Sequence, residues 1–144
     1  VTGSIAGLAA ITPASGAVGP IGALAIGAAS GFICWYASVI LKAKLGYDDS
    51  LDVVGVHGVG GLVGTLLVAF FAASSLGGKE GGDYAIGSQF ITQLTSSAIT
   101  VVYTLVLSFI ILKVVGAICG GLRVSDSEEE DGLDITAHGE SGYN

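Results

Sequence analysis

The sequence contains no methionine, only two prolines and two cysteines, and little charge of either sign. Charged residues make up 12% of the chain, about half the share found in ordinary soluble domains, whereas hydrophobic residues make up 51%. Cys34 and Cys119 have neither zinc-site nor CxxC spacing, which favours reading both thiols as small apolar side chains. The composition excludes an ordinary soluble domain and is typical of a membrane protein.

Long uncharged runs take the place of the missing charges. Pro20–Leu41 has no charged residue, Val53–Leu76 is interrupted only by His57, and Tyr84–Leu112 forms a third run. A helix needs about 20 apolar residues to cross a bilayer, so each run predicts a membrane-spanning helix. We therefore predict an all-α transmembrane helical bundle and a soluble tail. The predicted segments are a partial helix at 1–11, helices at about 20–42, 50–74 and 84–119 within a membrane region at 1–120, and a tail at 121–144.

The first apolar stretch, Thr2–Ile11, covers only half of a membrane span. It ends at a segment that holds both prolines, and the chain begins at Val1 without a methionine. We expect the sequence to be the C-terminal part of a longer membrane protein, with its first helix incomplete.

The net charge of −7 is concentrated at one end of the chain. Residues 1–123 carry five basic and five acidic side chains, whereas residues 124–144 carry seven acidic side chains and no lysine or arginine. Four of the five basic residues flank the predicted helices on one side, which the positive-inside rule assigns to the cytoplasm. These residues are Lys42, Lys44, Lys113 and Arg123. The acidic tail is accordingly predicted to be cytoplasmic.

The stretch Ser50–Gly64 places His57 among glycines and aliphatic residues. An ionisable group inside a membrane span is costly, so it is a functional-site hypothesis by default. The alternative is a neutral histidine that holds the bundle together through one hydrogen bond. Ser50 or Asp49 is expected to cap this helix, with Asp49 and Asp52 in or beside its first turn, where carboxylates favour the helix dipole.

His57 lies eight residues beyond Asp49, which is about 12 Å along a helix axis. Helical spacing predicts that it shares its face with four residues, namely Val53, Gly60, Gly61 and Gly64. Desolvation favours the neutral ring, and no second ligand stands one turn away, so we expect no metal and no cofactor. Glycines at four-residue spacing, such as Gly60 and Gly64, indicate close helix packing.

The tail has its own local signals. Ser127 followed by three glutamates predicts a short helix that ends at Gly132. Leu133 and Ile135 then offer two apolar side chains, and we expect the tail to dock on its own membrane domain or on a partner.

Several segments together resemble the ammonium transporter family, which includes the methylammonium permeases and the Rhesus proteins, and are most similar to its bacterial type. They are "AGLAAITPASGAVGPIGALAIG", "DDSLDVVGVHGVGGLVGTLLVAFFAASSLGG" and "GLRVSDSEEEDGLDITAHGESGYN". The resemblance implies an eleven-helix trimeric transporter built from two inverted repeats, in the plasma (inner) membrane. Its pore carries two histidines, of which His57 matches the second and Val53 matches an apolar pore residue. Asp49 and Asp52 match an acidic helix start, which we interpret as structural.

The same resemblance implies uptake of ammonium, with methylammonium as an analogue, by deprotonation and passage of ammonia past the pore histidines. It also implies that the tail responds to a PII-type signalling protein and couples neighbouring subunits. The tail residues concerned are Arg123, Gly132, Leu133, Asp134, His138, Gly139, Glu140 and Tyr143.

Three alternatives remain open from the sequence. The first is an ammonium sensor, or transceptor, that reports pore occupancy to a partner. The second is a Rhesus-like gas channel, and the third is an intramembrane enzyme that uses His57. The last lacks a nucleophile or metal ligand near the histidine, and we expect no catalytic residues.

Overall fold

The computed structural model describes residues 2–82 and 84–142. It divides into two compact units, Val1–Thr100 and Val101–Asn144. The α-helices are α1 (Thr2–Ile11), α2 (Pro20–Trp35), α3 (Lys42–Leu45), α4 (Val59–Phe71), α5 (Ile86–Cys119) and α6 (Asp126–Asp131). Three π-helical segments join or extend them, at Tyr36–Leu41, Val53–Gly58 and Asp134–His138. Short 3₁₀ turns lie at Thr12–Ala14 and Ser74–Leu76.

Among the described residues, three helical stretches are long and apolar enough to cross a membrane. We call them the first span (Pro20–Leu45), the second span (Val53–Phe71) and the third span (Ile86–Cys119). The predicted all-α membrane architecture is thus confirmed. The first span continues three residues beyond its expected end because its last turn closes at Gly46, which adopts the left-handed conformation that glycine tolerates.

In the unit that contains the first two spans, α1, α2 and α4 pack against one another. Its core is built from small and aliphatic side chains, namely Ala10, Ala14, Ile26, Val68 and Ala72. Gly64 lies so close to α1 that a Cβ added there would overlap the carbonyl oxygen of Ala10. Helices in lipid associate through such close backbone approach, and here glycine and alanine make it possible.

Not every glycine pair directs its missing side chains at a neighbouring helix. Gly60 and Gly64 are buried between helices, as the four-residue spacing predicts. By contrast, Gly27 and Gly31 have open space where a side chain would stand. The spacing alone therefore does not identify which face of a helix packs.

The loop after the second span folds against the turn that follows α1. The Lys79 backbone N–H donates to the carbonyl of Ala17 at 3.0 Å, and the Tyr84 hydroxyl donates to the carbonyl of Ala69 at 2.9 Å. Burial, with a smaller contribution from the negative charge of Glu80, raises the pKa of Tyr84. These bonds close the end of the packed unit that lies away from His57.

Candidate functional site

His57 lies in the π-helical segment Val53–Gly58, which continues directly into α4. The residue before this segment, Asp52, has a φ of 54°, and it is the one non-glycine residue with a positive φ in the described part of the chain. Aspartate tolerates the left-handed region better than most side chains do. The backbone around His57 therefore has two uncommon features, the π-helical turn and the left-handed residue before it. Turns of the first kind are frequent at functional sites in helices.

The Asp49 carboxylate organises the start of this segment. One oxygen accepts the N–H of Val53 at 2.8 Å, and the other accepts the N–H groups of Val54 at 3.0 Å and Gly55 at 3.3 Å. These are N–H groups that a helix start leaves without backbone partners. The sequence left open whether Ser50 or Asp49 caps the helix, and the carboxylate does so, because the Ser50 hydroxyl bonds a neighbouring acidic side chain instead.

Asp52 does not cap the helix but forms an ion pair across the turn. Its carboxylate lies 2.5 Å from the Lys42 ammonium, and the two side chains are 31% and 29% exposed. The same ammonium donates to the backbone carbonyl of Asp49 at 3.0 Å. The sequence predicts only that Lys42 flanks a helix on the cytoplasmic side, because a contact over ten residues through a turn leaves no periodic signal.

The face that carries His57 differs from the predicted one. Val53 and His57 are both exposed, as expected for one shared face. Gly60 and Gly64, however, are buried, and they follow the buried Val56, which is 4% exposed, at four-residue spacing. The prediction that these glycines share the face of His57 is wrong, because it assumed regular α-helical spacing, whereas His57 lies in a wider π-helical turn that precedes them.

The helix also begins later than the sequence suggested. The second span begins at Val53, after the turn that Asp49 and Asp52 form, so His57 is the fifth of its 19 residues. The offset of about 12 Å assumed a continuous helix from Asp49. The chain from Asp49 to Asp52 is a turn, and His57 is therefore closer to the helix start than that distance implies.

A buried polar chain lies under the histidine segment. The Ser30 hydroxyl donates to the carbonyl of Ala6 at 2.9 Å and lies 3.4 Å from the Cys34 sulfur. The Cys34 thiol donates to the carbonyl of Val56 at 3.7 Å. These contacts link α1, the first span and the residue next to His57. Cys34, predicted to be an apolar side chain, thus makes polar contacts, and its four-residue spacing from Ser30 is the sequence signal for them.

The His57 ring makes no hydrogen bond to any residue in the described part of the chain. A neutral imidazole has one donor and one acceptor nitrogen, so an exposed ring can bind a small polar solute or transfer a proton. No cluster of three or more potential metal ligands occurs within residues 2–82 and 84–142. The exposed ring is therefore suited to binding a small polar solute or to transferring a proton.

In the second unit, the tail helix α6 begins with a capping box. The Ser125 hydroxyl accepts the Glu128 N–H, while the Glu128 carboxylate accepts the Ser125 N–H at 2.9 Å. Hydrogen bonds from the Ser125 hydroxyl and backbone lower the pKa of Glu128. The predicted start at Ser127 is thus wrong by two residues, because only Ser125 has a glutamate three positions later that reaches back. Gly132 ends the helix, as predicted.

Beyond α6 the tail makes a second turn. Asp134–His138 is π-helical, Gly139 has a φ of 65°, and the Glu140 N–H donates to the carbonyl of Asp134 at 2.7 Å. Leu133 is 40% exposed. Arg123 lies 3.5 Å from Glu129, and Tyr143 lies outside the described residues. The structure thus gives a locally ordered tail whose apolar side chains are available.

Three spans, a buried small-residue helix seam and a histidine within a span define a helical integral membrane protein. Residues 1–143 match the model of the Ammonium Transporter Family. The chain belongs to the ammonium transporter family, whose members are transporters rather than enzymes.

Curated relatives agree with this assignment. The chain is 43% identical to an ammonium transporter of Aquifex aeolicus over 99% of its own length and 33% of that protein. It is 41% identical to an ammonium transporter of Bacillus subtilis, over 99% of this chain and 36% of that one. It is 46% identical to an ammonium transporter of Mycobacterium tuberculosis, over 99% of this chain and 31% of that protein. The chain spans about a third of the length of these relatives.

Proposed function

We propose that the protein containing this chain carries ammonium across a membrane, by deprotonating it and conducting ammonia. The observation that carries the proposal is the match of nearly the whole chain to ammonium transporters, together with an exposed histidine in the second span. Because this chain covers a third of those proteins, it supplies one part of the pathway. We assign residues 1–120 to the membrane region and residues 121–144 to a cytoplasmic tail, in a trimer of eleven-helix subunits in the inner membrane.

In this proposal His57 and Val53 line the conduction path. The exposure of both residues on one side of the second span supports this role. A neutral ring offers ammonia a hydrogen-bond donor and an acceptor without placing a fixed charge in the path. The aliphatic Val53 keeps the path narrow and dry, which disfavours passage of a hydrated cation. A second histidine, outside this chain, would complete the pair that the resemblance implies.

The test replaces His57 in the full-length protein and measures methylammonium uptake at limiting concentration. His57→Ala should abolish most uptake or change selectivity, because the ring provides the only titratable group in the described second span. Val54→Ala is the matched control, since Val54 lies in the same π-helical segment and is also exposed. Wild-type uptake and selectivity in His57→Ala would contradict the pore role.

We further propose that the tail is the docking element for a PII-type protein and couples neighbouring subunits. The capped helix α6, the ordered turn at Asp134–His138 and the exposed Leu133 support this role. The contacting set comprises Arg123, Gly132, Leu133, Asp134, His138, Gly139, Glu140 and Tyr143. Deleting residues 124–144 should weaken binding of a PII-type protein to membranes that contain the transporter. Undiminished binding would remove this role from the tail.

A further inference from the structure

We infer that Lys42 is a positioning residue that sets the orientation of the His57 ring through the turn between the first two spans. The inference rests on the proposed function of His57, but it concerns a residue outside the pathway. Lys42 lies in α3 at the end of the first span, fifteen positions before the histidine. Its contacts reach the turn that begins the second span.

The first step is the contact between the ammonium and the turn. The Lys42 ammonium binds the Asp52 carboxylate at 2.5 Å and the Asp49 carbonyl at 3.0 Å. The Asp52 N–H donates to that same carbonyl at 3.1 Å. One lysine therefore holds both ends of a turn whose last residue has left-handed backbone dihedral angles. Such a residue keeps an uncommon conformation only when its surroundings hold it there.

The second step is the contact between the turn and the histidine segment. The Asp49 carboxylate binds the N–H groups of three consecutive residues, Val53 to Gly55. The Val56 N–H donates to the carbonyl of Asp52 at 2.8 Å. The backbone of the four residues before His57 is therefore bonded to the turn that Lys42 holds. A rotation of the turn would carry the imidazole with it.

The third step is the close contact between the histidine segment and the first span. Gly55 lies against Ser38 so closely that a Cβ at position 55 would overlap the Ser38 hydroxyl oxygen. That oxygen is buried and has no hydrogen-bond partner among the described residues. The two contacting residues lie in the two π-helical segments of the first and second spans. Because Gly55 is packed tightly against the first span, the turn before Val53 is the end of the segment that is free to move, and Lys42 is the side chain that holds it.

The experiment compares Lys42→Met with Lys44→Met in the full-length protein. Lys44 carries the same charge two residues away and is exposed, so this control removes a cation without removing the two contacts. In Lys42→Met the maximal rate of methylammonium uptake should fall by about tenfold or more, because small misplacement of a reacting group is costly. Lys42→Arg should restore much of the rate, since it keeps a cationic donor at the same place.

A second readout does not depend on transport. With ¹⁵N-labelled histidine, the ring signals of His57 should move in Lys42→Met and stay in place in Lys44→Met. Asp52→Asn should move the same signals, because asparagine keeps the left-handed backbone and lacks the charge. Unchanged His57 signals in both Lys42→Met and Asp52→Asn would overturn the inference, even if methylammonium uptake falls in Lys42→Met. If His57→Ala transports normally while Lys42→Met moves the ring signals, the proposed function fails and the positioning role stands.

Discussion

The second and third spans are both strongly apolar, with mean hydropathy of 2.0 and 2.4, yet they differ in burial. A third of the most apolar stretch of the second span is buried, whereas no part of the most apolar stretch of the third span is buried. The second span contains Gly60 and Gly64 at four-residue spacing, and Gly116 of the third span is followed at the same spacing by Gly120, just beyond the end of that span. The difference shows that hydropathy predicts insertion into a membrane, while packing requires a partner surface that approaches a particular face.

The largest expected difference is between two glycine substitutions, one in the second span and one in the third. Gly64→Ala should destabilise the full-length protein by about 3 kcal/mol, because overpacking of a close backbone contact forces the helices apart. At Gly116 the nearest atom to an added Cβ is the Leu122 side chain at 3.3 Å, which can move. Gly116→Ala should therefore change stability by about 1 kcal/mol or less. Thermal unfolding in detergent measures the stability of both variants. Equal losses of stability would contradict the proposed difference in packing between the two spans.

An intermediate effect is expected from aliphatic side chains. Val68 is 7% exposed and Leu105 is 65% exposed. Val68→Ala should cost about 2 kcal/mol because it leaves a cavity in the seam, whereas Leu105→Ala should cost about 0.5 kcal/mol. The same unfolding measurement applies. A loss at Leu105 as large as that at Val68 would mean that another part of the full-length protein covers this face of the third span.

The smallest effect should come from the tail, where a local contact forms the helix. Ser125→Ala removes the capping box and should cost α6 about 1 kcal/mol, measured by amide hydrogen exchange across Asp126–Asp131. Ser127→Ala is the control, because Ser127 does not cap the helix. Equal exchange in the two variants would exclude Ser125 as the cap.

The capping box also makes α6 sensitive to pH. The pKa of Glu128 is lowered in the folded tail, so its contribution is fully present above the ordinary carboxyl pKa. It is lost as the pH falls through the lowered value. Exchange protection of α6 should therefore decrease on acidification in the wild type, and much less so in Ser125→Ala. A protection that rises as the pH falls would contradict this coupling.

Much of the fold could be read from the sequence. The three spans follow from apolar runs, and a cap at Asp49 or Ser50 follows from polar residues placed before the second span, although only the structure decides between the two. The tail helix was anticipated with the wrong cap, although the pattern of Ser125 followed by Glu128 was present. The side of the second span that packs was anticipated wrongly, because regular helical spacing gives no sign of the π-helical turn before α4.

The sequence by itself determined which segments enter the membrane, where the charges lie and that one histidine is placed within a span. These properties depend on composition and on neighbours a few residues apart. Only the tertiary structure decided that Val56, and not His57, faces α1, and that Lys42 holds the turn before the second span. Such outcomes depend on which distant backbones approach closely, and that approach is governed by steric fit between helices rather than by hydropathy.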